Sequence, residues 1–171
     1  DYDEVLIANV ESELRIANQY LARLLAQTGN ELDAVAGSVE FAQQLDDPNA
    51  DRGAFFAEIQ DRLGLDFLQF LPIDVAVGDG ENWPVIARAA RGQSGAEIDV
   101  FSNARLTRLN DALAVRAQVP VIDTPAAVPT DRKIEDRGMV VHAASPVDLD
   151  GRQGVLVGGM LLNRNLDFID T

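Results

Sequence analysis

The most constraining feature of this sequence is the spacing of apolar residues near its start. Ile7, Val10, Leu14, Ala17, Leu21 and Leu24 follow one another at alternating intervals of three and four, which aligns them on one stripe of an α-helix. From Leu21 a companion series continues through Leu25, Thr28, Leu32, Val35, Val39 and Ala42, with Thr28-Gly29-Asn30 as a kink within it. Asp3, Glu4, Glu11, Glu13, Arg15 and Arg23 fall off the stripe, where a helix meets solvent. Such a helix packs on its own domain, or pairs with a second copy in coiled-coil fashion, or does each along a different part of its length.

The period changes repeatedly after Asp46-Asp47-Pro48-Asn49. Phe55, Phe56, Ile59 and Leu63 make a second apolar helix face, with Gly64 placed to cap it. Asp66 to Val77 is strand-like, Gly78 to Asn82 is dense in turn formers, and Trp83 to Ala89 reads as the next strand. Gly95 to Leu113 returns to helical spacing through Ile98, Phe101, Arg105, Leu106, Leu109 and Leu113. Ala114 to Ile122 is extended, and Thr124 to Arg132, with two prolines, is a loop. Gly138 to Val147 and Gly154 to Leu162 form two further strands joined by a turn at Asp150-Gly151, and Asn163 to Thr171 is helical. The predicted class is α+β: a long N-terminal helix and an antiparallel sheet of five strands flanked by helices.

A chain of 171 residues with this apolar content is one domain with its own core. Without cysteine, and with His142 as the sole histidine, disulfides, thiolate or multi-histidine metal sites and a cysteine nucleophile are excluded. The net charge of −14 argues against nucleic acid as a partner. That charge is concentrated: residues 1–81 hold 17 acidic and 4 basic side chains, the remainder 11 and 10. No stretch is long and apolar enough to span a bilayer. The chain starts at Asp1 within a helical pattern and stops at Thr171 entering another, so the expectation is a segment of a longer protein.

Few constellations carry chemistry. Gly92-Gln93-Ser94-Gly95 lacks the spacing of a nucleophile elbow, and Ser145 lies three residues from His142 on one strand, facing the other way. No catalytic residue is therefore assigned, and no cofactor or metal. Asp47, Asn49, Asp51 and Glu58 stand at positions 1, 3, 5 and 12 of a calcium-loop pattern, but Arg52 occupies the place of the required glycine. An acidic helix N-terminus explains the same residues. Gly158-Gly159 inside a strand marks close approach to the backbone, by a ligand or by packing. What remains is an anion pocket. Arg88 and Arg91 close one expected strand, Arg105 and Arg108 share a helix face, Arg116 opens the next strand, and His142 sits mid-strand between Val141 and Ala143. Guanidinium forks and an imidazole suit a carboxylate. The alternative places each Arg on the solvated surface and His142 satisfied within the core. Trp83 is either a core or edge aromatic or a lid over the pocket.

The run Arg137-Gly138-Met139-Val140-Val141-His142-Ala143-Ala144-Ser145-Pro146-Val147, a polar turn, and Gly154-Val155-Leu156-Val157-Gly158-Gly159-Met160-Leu161-Leu162-Asn163 resemble the end of a Cache domain. This is a PAS-like sensor module found outside the membrane in bacterial histidine kinases and chemoreceptors. The Pro146-Val147 pair ending the penultimate strand, the mid-strand glycines of the last and the long first helix carry the likeness, together with Asp66-Phe67-Leu68-Gln69-Phe70 as first strand. The resemblance implies one Cache-like domain over 1–171: a helical region at 1–45, a PAS-like core at 46–163, and the start of a helix toward the membrane at 164–171. It also implies a periplasmic location, attachment to an inner membrane only through flanking helices, and no enzymatic activity in the domain itself. A small-molecule ligand, a carboxylate in some relatives, would be held in a cleft, with His142, Arg88, Arg116, Arg105 and Trp83 as candidate contacts. Binding would be transmitted through the terminal helices, most simply in a homodimer joined along the N-terminal helix, within a membrane signalling protein such as a two-component histidine kinase. A ligand-free dimerisation or protein-interaction module is the other expectation.

Overall fold

The computed structural model describes residues 1–109, 117, 119–120, 134–135, 137–149 and 151–162. Helix α1 (Tyr2–Ala36) runs for 35 residues without a break. Thr28-Gly29-Asn30, where a kink is expected, does not interrupt it, because tertiary packing overrides the weak helix preference of glycine there. A Cβ built on Gly29 would lie 3.6 Å from the Ala96 Cβ, so this is where α1 crosses the sheet. The helix ends instead at Gly37-Ser38. The Ser38 hydroxyl donates to the Val35 carbonyl (2.7 Å) and accepts from the Phe41 amide (3.2 Å). One side chain thus satisfies the end of α1 and the start of α2 (Val39–Asp46).

Helix α3 (Arg52–Leu63) begins at Asp51, whose carboxylate accepts from the Ala54 amide (3.0 Å), and ends at Gly64 in the left-handed region (φ 70°). The Asp47 carboxylate accepts from the Asn49 amide (2.9 Å). These are the local capping and turn bonds that an acidic helix entry supplies. Phe55 and Phe56 stack on the buried Phe41, with ring centroids 6.4 and 6.3 Å from it.

Several expected elements change type. Strand β1 (Phe67–Pro72) gives way to helix α4 (Ile73–Asp79) after Pro72, which has no amide hydrogen for a ladder. Trp83 to Ala89 is not a strand. Pro84 is well suited to the first position of a helix, the alanines favour one, and Val85, Ile86 and Ala89 form the buried face of α5 (Pro84–Ala90). Gly95 to Phe101 is not helical but strand β2, and only from Asn103 does the chain enter α6 (Asn103–Leu109). The switch is set by Ser102, whose hydroxyl accepts from the Arg105 amide (3.2 Å).

Residues Val119–Pro120 (β3) and Ile134–Glu135 (β4) form a separate two-stranded ladder. The two strands of the hairpin, β5 (Gly138–Leu149) and β6 (Arg152–Leu161), match expectation, with Gly151 at φ 85° in the turn. Among the described residues the main sheet has four strands rather than five, all antiparallel, in the order β1-β6-β5-β2. The expected loop at 124–132, the terminal helix from 163, Asp150, and most of the strand expected at 114–122 lie outside the described residues.

Both faces of this sheet are covered. Alternation along β5 and β6 sends Ala143, Val147 and Leu156 to one side, where they pack on Leu32, Val35 and Ala36 of α1 and on Phe41, Leu45 and Ile59. Val140, Ala144, Val155, Val157 and Leu161 face the other side, against Ala76 of α4, Val85, Ile86 and Ala89 of α5, and Leu106 of α6. The fold is α+β, with helices on each face of an antiparallel sheet.

Candidate functional site

His142 lies on β5 on the face shared with Val140 and Ala144, beneath α5 and α6. It is directly opposite Glu97 of β2 and Gly159 of β6. Its side chain is 1% exposed, and its Nδ1 lies 2.8 Å from the Oδ2 of Asp99, whose side chain is 15% exposed. Asp99 is two pairs further along the ladder, so imidazole and carboxylate meet diagonally on one face.

Aromatic rings surround the imidazole. Phe101 and Trp83 meet it edge-on, with centroids 5.1 and 5.4 Å away, and Phe67 lies 6.1 Å away. Gly159 makes room for Phe67. A Cβ there would stand 2.8 Å from that ring and would collide with the Val141 carbonyl oxygen. The close approach expected at Gly158-Gly159 is thus made by packing: by Phe67 of β1 and the Val141 carbonyl of β5 at Gly159, and by Leu68 of β1 and Leu65 just before it at Gly158.

Arg105 of α6 closes the cluster. Its guanidinium carbon lies 4.6 Å from the Trp83 ring centroid and 5.2 Å from that of Phe101. Burial lowers its pKa below the usual guanidinium value. The carboxylate of Asp79 opposes this shift, Arg108 adds to it, and Asp99 opposes it again. Arg105 Nε and His142 Nε2 are both buried and have no hydrogen-bond partner among the described residues. A buried polar group left unpaired costs about 1–3 kcal/mol, so these two nitrogens are the least satisfied part of this face.

Three of the five candidates, His142, Arg105 and Trp83, are therefore brought together. Arg88 is close by but committed: it lies on α5 rather than at a strand end, and its guanidinium donates to Glu97 Oε2 at 3.0 Å. Glu97 Oε1 accepts from the Val85 amide, also at 3.0 Å. Arg116 lies outside the described residues. Reading the sequence at a helical period hid Asp99, Glu97 and the inward aim of Phe101. The alternation Glu97, Asp99, Phe101 beside Ile98 and Val100 is the signal that reveals them.

Chemically, the cluster offers an oriented imidazole, a guanidinium with unused donors, and flat apolar walls. It holds no nucleophile paired with a base. Among the described residues no group of three or more His, Asp or Glu side chains is placed to hold a metal ion. Fold and site together define an α+β domain with a polar cluster beneath its helices. Compared with protein-family models, with curated proteins and with solved structures, the chain matches none.

Proposed function

We propose that this chain is the ligand-binding sensor domain of a membrane signalling protein, similar to a Cache domain. Its place is outside the membrane of a two-component histidine kinase, with a small carboxylate as ligand. The observation that carries this reading is the pair of buried, unpartnered nitrogens, His142 Nε2 and Arg105 Nε, on one aromatic-walled face. A carboxylate satisfies the Arg105 donor through charge-assisted bonds, about twice as strong as neutral ones, and a ligand that also reaches His142 Nε2 completes the pair.

Two features support signal transmission. The site and α1 lie on opposite faces of the same strands, and α1 crosses at Gly29 on Gly95-Ala96, two residues before Glu97 and four before Asp99. Helix α1 also extends beyond the sheet, with Ile7, Val10 and Leu14 exposed, as a homodimer seam requires. No described helix is long and apolar enough to cross a membrane, so attachment would fall to segments flanking this one.

The test is calorimetric titration and thermal shift of the 171-residue chain against small mono- and dicarboxylates. Saturable stabilisation that is lost in Arg105→Ala and His142→Ala, with both variants still folded, supports the reading. If no carboxylate binds, the ligand-free dimerisation module stands in its place. That second reading is favoured by the complete burial of His142 and by the same exposed stripe.

A further inference from the structure

We infer that the ligand of this site is an α-hydroxy acid, its hydroxyl hydrogen donated to His142 Nε2 and its carboxylate held by Arg105; this deepens, and rests on, the sensor reading above. The argument starts at Asp99. An ionised carboxylate only accepts hydrogen bonds. With Asp99 Oδ2 at 2.8 Å from Nδ1, the proton of the neutral ring is held on Nδ1, leaving Nε2 as a bare lone pair. A carboxylate alone has no hydrogen to give that nitrogen. The missing partner is a donor.

The donor is a hydroxyl rather than an ammonium group. The carboxylates near the cluster are already engaged, Asp99 with the imidazole, Glu97 with Arg88 and Asp79 with the charge of Arg105 itself, and the remaining walls are Trp83, Phe101 and Phe67. A second cation beside Arg105 would therefore be buried without a counter-charge. A neutral hydroxyl completes Nε2 at no such cost, and the adjacent carboxylate accepts from the N–H edge of the guanidinium.

Nε2 is sealed in this structure, so binding requires the roof to open. The roof is half-buried and light. The Arg105 head group rests on the rings of Trp83 and Phe101, its Nε without a hydrogen bond among the described residues, and charge-assisted bonds to a carboxylate replace that stacking.

Titration of the intact chain with L-lactate, D-lactate and propionate tests the claim, since propionate matches lactate without the hydroxyl. A lactate enantiomer is expected to bind roughly 10–100-fold more tightly than propionate, because propionate leaves a buried nitrogen unpaired. If propionate binds as well as either lactate, this inference falls while the sensor reading survives. If none of the three binds but another carboxylate does, the inference again falls alone; if no carboxylate binds, both fall. A second measurement needs no ligand. His142 is the sole histidine, so ¹⁵N-labelled histidine gives one imidazole whose long-range ¹⁵N–¹H couplings report the tautomer. The Nδ1–H form supports the inference, and the Nε2–H form overturns it.

Discussion

Glu97 caps a helix to which it does not belong: its Oε1 accepts the Val85 amide hydrogen at 3.0 Å, twelve residues back along the chain. The residue at the N-cap of α5 is Trp83, which has no side-chain oxygen to serve the free amides of the first turn. The carboxylate reaching across from β2 does so instead, while its other oxygen accepts from Arg88. Glu97→Ala is therefore expected to destabilise the domain by about 1–2 kcal/mol, the usual cost of a lost cap. Arg88→Ala, which removes only a half-exposed ion pair, should cost under about 1 kcal/mol. Urea denaturation separates the two. Trp83 is the sole tryptophan, so its emission reports directly on the loosened start of α5.

Gly29→Ala should stabilise the domain. Glycine inside a helix costs roughly 0.5–1 kcal/mol relative to alanine, and here the added methyl meets the Ala96 Cβ and the Gly95 carbonyl carbon at 3.6 Å, an ordinary van der Waals contact. A higher urea midpoint with an unchanged slope is the expected result. A lower midpoint would mean that α1 and β2 lie closer than described.

The opposite sign is expected at Gly159→Ala. The new methyl would collide with the Val141 carbonyl and press on the Phe67 ring at 2.8 Å. Overpacking of this kind costs about 1–3 kcal/mol, and the clash with fixed backbone places this site at the upper end of that range. Because Phe67 packs against His142, the single imidazole resonance should move as well. A variant as stable as the parent chain would contradict the ladder register that sets Gly159 opposite His142.

Ser145 is fully buried on the α1 side of β5, and its hydroxyl has no hydrogen-bond partner among the described residues. Nothing described explains why a hydroxyl is kept there. Ser145→Ala removes an unsatisfied group without opening a sizeable cavity, so thermal denaturation should give a change between zero and about 1 kcal/mol in the stabilising direction. A marked loss of stability would reveal a bond absent from this structure.

The elements that were legible in the sequence are those whose pattern persists longest. The stripe from Ile7 to Leu24 repeats one period over eighteen residues, the two final strands are predominantly apolar runs of nine or ten residues joined by a tight turn, and all three keep their type. Two segments of seven residues, Pro84–Ala90 and Gly95–Phe101, did not reveal theirs. Gly95 to Phe101 fits a helix through Ile98 and Phe101 and a strand through Glu97, Asp99 and Phe101; pairing with β5 decides between them. Trp83 to Ala89 fits both periods in the same way, and Pro84 with the alanines tips it to helix. At the site, His142, Arg105 and Trp83 were legible from residue type. Asp99 was not, because its role depends on a diagonal contact across a ladder 43 residues long in sequence. Arg88 was read as a pocket residue because its consumption by Glu97 depends on the same unseen strand.

The exposed part of α1 makes the most direct claim about assembly. Residues 2–16 extend past the sheet, with Ile7, Val10 and Leu14 at 57%, 48% and 59% exposed, on the line that Leu32 and Val35 continue into the core. A second copy covers them best in parallel and in register. With Ile7 and Leu14 at a positions and Val10 and Ala17 at d, that arrangement sets Glu11 beside Leu6 and Glu13 beside Asn18. An antiparallel pairing that layers Val10 on Leu14 sets Glu11 against Glu11 and Glu13 against Glu13 instead, and like charges so placed repel. Burying each apolar residue contributes about 1.5–3 kcal/mol, so a seam this short should give a weak, concentration-dependent dimer. The chain has no cysteine, so single substitutions give a clean readout. Val10→Cys and Leu14→Cys are each expected to form a disulfide with their own copy under mild oxidation, and Ser12→Cys, on the opposite side of the helix, is not. Cross-linking of Val10→Cys only when mixed with Leu14→Cys would establish the antiparallel arrangement. Sedimentation as a monomer throughout, with no cross-link at either seam position, would remove the dimer and leave the stripe to a different partner.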